Sequence, residues 1–480
     1  VVTAESTVDL LVVGAGTAGL AAAVEAAARG LTVTVVEQAD QVGGTLWRSW
    51  AQMSAGGTEL QRSRGIEDNP DLHFDDVMRI SKQTADPKLV RLAVDHAPVT
   101  IDWLMSAGFD MDPDAPAILY FHEPYSLPRT YWGRRGGRSV LEVLVPRFDQ
   151  ARDVGALTAH LSTTMTELLV DGADRVAGIA VVDAAGRRRE VRADHVLLTT
   201  GGYAGNATLF PELTEGAPLV GPGAPTSTGS GISAALAVGA STRGGDLFLP
   251  TYGGVLLRDS ESTTIPLDDF PQLTPQSRQP WEIHVNRRGQ RFVAEDSASV
   301  DVRETALLDQ PGLEFWVVYD QAARVKAPPL LPSYDEDHLV EMFEDHPSFC
   351  TADTVEGLAD LAGIDPDGLA ATVAAYNSGV ESGADAWGRT HLPLPIAQPP
   401  YYAVRNHGTT LKSPAGLVVD DQLRVVGARG PLSNLYAAGE VLGGSTLSGK
   451  SFVSGMSVTP ALSFGRLIAR RVAGVEKGTT

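Results

Sequence analysis

Cysteine is nearly absent from this chain: Cys350 is the only one among 480 residues. One thiol excludes an intrachain disulfide, a Cys-rich zinc site and a four-Cys iron–sulfur cluster. No Cys-x-x-Cys-His run exists to attach a haem. Basic charge is scarce as well, with 38 Lys and Arg against 59 Asp and Glu and a formal net charge of −21. So acidic a surface repels phosphate backbones and anionic lipid, which argues against nucleic-acid or membrane-surface partners. Long apolar runs are missing too. The most apolar segment, 10–28, is broken by Gly14, Gly16, Gly19 and Glu25, and reads as strand, turn and helix rather than as a membrane span. Residues 1–7 lack a basic cluster followed by an apolar stretch, so no secretory leader is read there and a cytoplasmic location is expected. No internal repeat is visible.

What is present is enough apolar material for a real core: 43% of the residues are hydrophobic, and 50 Gly with 30 Pro fall short of a low-complexity composition. The length suggests two or three lobes at roughly 150 residues per domain. Asp9-Leu10-Leu11-Val12-Val13 suits a buried parallel strand. It runs into Gly14-Ala15-Gly16-Thr17-Ala18-Gly19, a helix stopped by Gly30, and a second strand ending at Glu37. Together these form the dinucleotide fingerprint. Gly14 permits the turn, Gly16 admits a pyrophosphate to the backbone, and Gly19 lets helix and strand approach. The anion then lies at the helix start, over Thr17 and Ala18, and Glu37 is spaced to accept from an adenosine ribose. A glycine turn alone is often only a turn; here every neighbour agrees.

Two more Gly-Gly turns follow, in Gly43-Gly44-Thr45 and in Ser54-Ala55-Gly56-Gly57-Thr58. They suit a chain passing close along an extended cofactor, or they are simply loops. A strand near 193–199 ends in Thr200-Gly201-Gly202, and 434–441 repeats the pattern with a carboxylate, Gly439-Glu440. The ordered set VVGAGTAGLAAA, VLLTTGGYAGN and NLYAAGEVLGG resembles the FAD-dependent fumarate reductase / 3-ketosteroid dehydrogenase superfamily over nearly the whole chain. The resemblance implies FAD, with Glu37 on the ribose and Gly439-Glu440 near the ribityl–pyrophosphate portion. Gly43, Gly44 and 54–58 are then expected along the flavin, and Thr45, Thr200, Gly201, Ser457 and Val458 complete the cofactor set. A diffusible nicotinamide would leave the Gly439-Glu440 block without a role.

The expected fold class is α/β, a Rossmann-like FAD-binding domain with an inserted α+β capping domain. The FAD-binding domain spans 1–245 and 412–480, around a cap at 246–411. Asp86-Pro87 opens a helix stopped by Gly108, with Pro98 expected to kink or split it. Residues 175–182 and 189–191 read as strands joined by a turn, 282–285 and 315–318 as strands of the cap, and 355–361 as a helical piece.

The family divides by its substrate clamp, and three positions lean toward the ketosteroid dehydrogenase-like branch. The arginine of the fumarate reductases corresponds to Phe452, the segment Lys412-Ser413-Pro414-Ala415-Gly416 matches the place of their histidine but holds none, although Lys412 is close, and their His-Pro has become Thr251-Tyr252. Loss of the bidentate arginine argues against a dicarboxylate; Phe452 then walls an apolar pocket or simply packs. Tyr402 and the Gly408 amide resemble the pair that holds a ketone oxygen, with Tyr401 as the alternative and an ordinary strand start as the plain reading. Arg291, in the Gly-x-Arg-Phe-x-x-Glu segment, resembles the acid of the fumarate enzymes, although a guanidinium is hard to deprotonate. The tyrosine expected shortly after it is replaced by Ser297-Ala298-Ser299, which leaves Tyr252, then Tyr131, as bases, and His407 as a further group. The expectation is an FAD-dependent dehydrogenase that forms an α,β-unsaturated ketone, with oxygen or a diffusible acceptor taking the electrons. Its alternatives are an enone or fumarate-like alkene reductase and a non-redox flavoprotein with structural FAD.

Overall fold

The computed structural model describes residues 7–171, 175–221, 223–257 and 269–474. The leader reading of 1–7 therefore lies, but for Thr7, outside the described residues. The large lobe is built on strands β1 (Val8–Val13), β2 (Val33–Val36), β5 (Leu157–His160), β8 (Arg188–Leu198), β15 (Arg424–Gly427) and β16 (Gly430–Ala437). They lie in the order β15-β16-β8-β1-β2-β5, parallel except for the edge strand β15. Leu10 to Val12 are fully buried, as a strand covered on both faces requires. A hairpin of β6 (Thr163–Asp171) and β7 (Arg175–Asp183) continues antiparallel from β8. The expected 189–191 and 193–199 strands are one strand, β8.

Helix α1 (Thr17–Ala28) packs against the C-terminal helix Val458–Val472. Their contact is close because Gly465 has no side chain: a Cβ there would stand 2.3 Å from the Ala18 carbonyl oxygen. The helix from Asp86 runs unbroken over Pro87–Ser106 with Pro98 inside it, so the expected split does not occur. A mid-helix proline removes one backbone hydrogen bond, and the buried face of Val90, Ala93, Val94, Ala97 and Ile101 carries the helix through.

The cap lobe holds a second, antiparallel sheet of β10 (Ile283–Val285), β11 (Glu314–Asp320), β12 (Phe349–Ala352) and β13 (Tyr401–His407), ordered β10-β11-β13-β12. Alternation along β11 builds two cores. Trp316 and Val318 face Leu358, Leu369 and Tyr376, whereas Phe315 and Val317 face Leu307, Leu331 and Met342. A sheet covered on both sides explains why Phe315-Trp316-Val317-Val318 reads as one apolar run.

The chain crosses between lobes twice, side by side: β9 (Thr242–Arg243) pairs antiparallel with β14 (Gly416–Leu417). A short pair, β3 (Met53–Ser54) with β4 (Thr130–Tyr131), completes the large lobe. Among the described residues, no helix is long and apolar enough to cross a membrane.

Candidate active site

The glycine turn at the end of β1 is shaped by contacts that leave no room for side chains. A Cβ on Gly14 would lie 2.4 Å from the Thr199 carbonyl oxygen, and one on Gly19 would lie 1.9 Å from that of Gly14. Gly16 differs: its Cβ would meet no protein atom within 4 Å. It begins α1 with no side-chain cap, so the first-turn N–H groups at Thr17 and Ala18 face an open cradle suited to an anion. Glu37 braces the turn, its two carboxylate oxygens accepting from the Ala15 N–H at 2.7 Å and the Ala39 N–H at 2.8 Å. Each oxygen keeps a lone pair for a ribose hydroxyl. The Gly43 N–H donates to the Ala15 carbonyl at 2.8 Å. Gly44 then crosses the turn, its Cβ position 3.1 Å from the Gly16 Cα, and Thr45 follows exposed on the surface.

Of the remaining cofactor candidates, some stand beside this helix start and others at the start of the C-terminal helix. Gly439 brings the end of β16 beside Ala18, and the Glu440 carboxylate accepts from the Ser413 N–H at 2.8 Å. Thr200 and Gly201 follow β8; the Thr200 hydroxyl is buried without a partner. It packs on Gly231, where a Cβ would stand 2.0 Å from it, which accounts for the glycine after Ser230. The C-terminal helix begins at Val458 without a side-chain cap, and Ser457 before it is exposed within an otherwise buried stretch. Ser54 donates its N–H to Thr459 Oγ1 at 2.8 Å, and the Thr130 hydroxyl on the paired strand is also buried and unpartnered. Two uncapped helix starts, orphaned hydroxyls and a glycine cradle fit a long nucleotide cofactor. Gly56 and Gly57 pack on the 68–70 stretch, and a Cβ on Gly56 would lie 2.6 Å from the Asn69 carbonyl oxygen. Close chain packing is what requires glycine there.

The expected catalytic residues do not assemble. Tyr402 and Gly408 sit at opposite ends of β13, roughly 20 Å apart at about 3.3 Å per residue, and cannot hold one oxygen. The Tyr402 hydroxyl donates to Gln321 Oε1 at 2.7 Å with its ring stacked on Tyr319; Tyr401 neighbours it at the same strand end. The Gly408 N–H is taken by the Leu313 carbonyl at 2.7 Å. Tyr131 shares a 2.8 Å hydrogen bond with Thr58 Oγ1, and burial pushes its phenol well up. Tyr252 is bonded to His284 Nδ1 at 2.9 Å and stacked on Phe315, and burial raises its phenol too. Both are poor bases.

Arg291 donates to Glu295 at 2.8 and 2.6 Å and to Asp385 at 2.5 and 3.2 Å. Burial opposes its charge, but these two carboxylates hold it above the usual arginine range. It lines a cavity of about 500 Å³ bounded by cap residues such as Phe292, Tyr376 and Trp387, and serves as a cap strut. His407 faces Glu314 at 3.7 Å, and burial, helped by Arg405, lowers its imidazole to about 4.

A different cluster forms where the lobes meet. The Lys412 ammonium lies 4.8 Å from the centre of the Phe452 ring and donates to Ser448 Oγ at 3.0 Å. Burial pushes it down to about 8, against the pull of Glu440 and Glu304. His122 stacks on the same Phe452 ring, centroids 4.7 Å apart, and its Nδ1 is 3.5 Å from Glu304 Oε1. Glu304 belongs to the cap helix Val300–Leu308. One turn earlier, Asp301 accepts from Ser451 Oγ at 2.7 Å and pairs with Lys82 at 2.9 Å. The sequence reading missed His122 and Glu304. Two acids three apart on one helix face were the available signal for the second; a loop histidine gives none.

Residues 9–450 match the family model described as FAD binding domain. The chain belongs to the FAD binding domain family. A probable fumarate reductase of Shewanella frigidimarina, Ifc3, is 29% identical over 97% of this chain and 75% of its own length. A 3-oxosteroid 1-dehydrogenase of Mycobacterium tuberculosis is 26% identical over 97% of this chain and 98% of its own. The crystal structure of 3-ketosteroid delta1-dehydrogenase from Sterolibacterium denitrificans in complex with 1,4-androstadiene-3,17-dione shares the fold, with a TM-score of 0.77, 21% identity and coverage of 98% and 100%. This member of the family is thus an FAD-dependent oxidoreductase acting on carbon–carbon bonds. The chain is similar to both kinds of enzyme, at 29% identity to the reductase and 26% to the dehydrogenase, and these likenesses place it in neither branch.

Proposed function

We propose that this enzyme introduces a C=C bond next to a single ketone carbonyl, in a site closed by the 246–411 cap. The observation that carries the reading is the Lys412–Phe452 contact: one cation stands over an apolar ring. A dicarboxylate calls for cationic clamps at both ends. A ketone needs one donor at its oxygen and apolar walls, and Lys412 with Phe452 supplies both. In the transition state the ammonium stabilises negative charge building on the carbonyl oxygen, more strongly in a dry site than in water. Bound FAD supplies the hydride acceptor. Glu304 and Asp301 bring the cap down on this cluster and shield it from water. Oxygen or a diffusible acceptor would take the electrons. The alkene-reductase direction, supported by the likeness to the probable fumarate reductase, uses the same contacts in reverse.

Anaerobic titration of the holoenzyme tests the reading. Cyclic saturated ketones should bleach the flavin absorbance and succinate should not; bleaching by succinate alone overturns it.

A further inference from the structure

We propose that His122 is the acid/base at the substrate α-carbon and that Glu304, carried on the cap, is its positioning residue. The inference deepens the single-carbonyl reading and rests on it. Tyr131, Tyr252 and Tyr402 each spend their hydroxyl on a protein partner, Thr58, His284 and Gln321, and Tyr401 lies beside Tyr402 at the start of β13. His122 is differently placed. Its ring and the Lys412 ammonium both meet Phe452, so the group that would hold the carbonyl oxygen and the base lie within one small substrate of each other. Its side chain keeps 18% exposure, whereas Nδ1 is sealed from solvent, 3.5 Å from Glu304 Oε1 and without a hydrogen-bond partner. Nε2 has no hydrogen-bond partner among the described residues, and is the nitrogen left to meet a ligand.

The chemistry balances with what the site and its cofactor hold. The α C–H bond breaks and its proton goes to Nε2. The electron pair left behind forms the new C=C bond as the β-hydrogen departs with its pair to FAD, so the substrate is oxidised and FAD reduced. The imidazolium created is paired by Glu304, as an orienting carboxylate pairs a catalytic histidine elsewhere. Glu304 itself is 1% exposed and its Oε2 lacks a partner. Asp301, Arg303 and Lys412 are the charged groups that face it besides His122. Burial raises its carboxyl above the usual range. Because His122 stands on the large lobe and Glu304 on the cap, the base is oriented only when the lobes meet.

The test uses holoenzyme, anaerobic, with cyclohexanone in D2O, and reads deuterium entry at the α-carbon by NMR alongside flavin content and melting temperature. Wild type should exchange. H122Q should lose exchange by at least about 100-fold with flavin content and melting unchanged. E304Q should lose about 10-fold and shift the acid limb of the kcat/KM pH profile, with E304D recovering part of the rate; a merely structural Glu304 would move neither the limb nor the exchange. H122Q exchanging within twofold of wild type overturns the dyad and leaves the single-carbonyl reading standing. Wild type that exchanges no ketone overturns that reading itself.

Discussion

The ammonium of Lys412 and the ring of Phe452 stand 4.8 Å apart, with Glu304 and Glu440 close enough to pull on the charge. Burial brings the ammonium down to about 8, so its charge is lost inside the working pH range. On the proposed reading protonated Lys412 holds the carbonyl, and kcat/KM should then fall about tenfold per pH unit above that point. K412M should lose the activity while keeping FAD. A flat profile to pH 10 would remove Lys412 from the site.

Tyr402 offers the opposite expectation. Its hydroxyl bonds Gln321 among Tyr319, Phe343 and Arg324, so Y402F should cost about 1 kcal/mol of stability and leave turnover and flavin content within twofold. A tenfold loss of turnover with normal melting would return Tyr402 to catalysis.

Gly16 and Gly19 should fail differently. A Cβ at Gly19 collides with the Gly14 carbonyl at 1.9 Å, so G19A should lower the melting temperature of apoprotein and holoenzyme alike. At Gly16 the backbone is extended, with φ −77 and ψ −161, and the Cβ meets nothing. G16A should therefore spare apoprotein melting and weaken FAD binding, measured by fluorescence titration. Unchanged FAD affinity in G16A would move the pyrophosphate away from this turn.

Glu25 ties α1 to the C-terminal helix. Burial opposes its charge, but hydrogen bonds from Arg470, Arg29 and Arg466 outweigh it and hold the carboxyl at about 2, below the usual 4.5. The folded state therefore prefers the ionised form. That stability is present above about pH 4.5 and disappears as pH falls toward 2. E25Q should cost about 2 kcal/mol at pH 7, with solvent screening included, and only a small fraction of that at pH 2, where the folded carboxyl is half protonated. Equal losses at both values in urea titrations would show the packing, not the charge, to be what matters.

Local chemistry made the nucleotide end readable. Gly14, Gly16, Gly19 and Glu37 lie within one βαβ unit, where spacing along the chain is nearly spacing in space. The strands at 282–285 and 315–318 were legible for the same reason: continuous apolar runs of that length suit a sheet covered on both sides. Tyr402 and Gly408 are near in sequence but not in space, because an extended strand separates its ends by about 3.3 Å per residue. A glycine pair such as Gly56-Gly57 signals close approach without saying to what.

By itself, then, the sequence determined the cofactor cradle and the α/β class, since these depend on contacts between neighbouring segments with fixed periodicities. Only the tertiary structure brings together the cluster proposed for catalysis. His122, Glu304, Lys412 and Phe452 come from four separated segments on two lobes, and what makes them a site is the packing of the cap helix against the large lobe. Burial, pairing and charge at such a junction are properties of the packed interface, and no single segment encodes them.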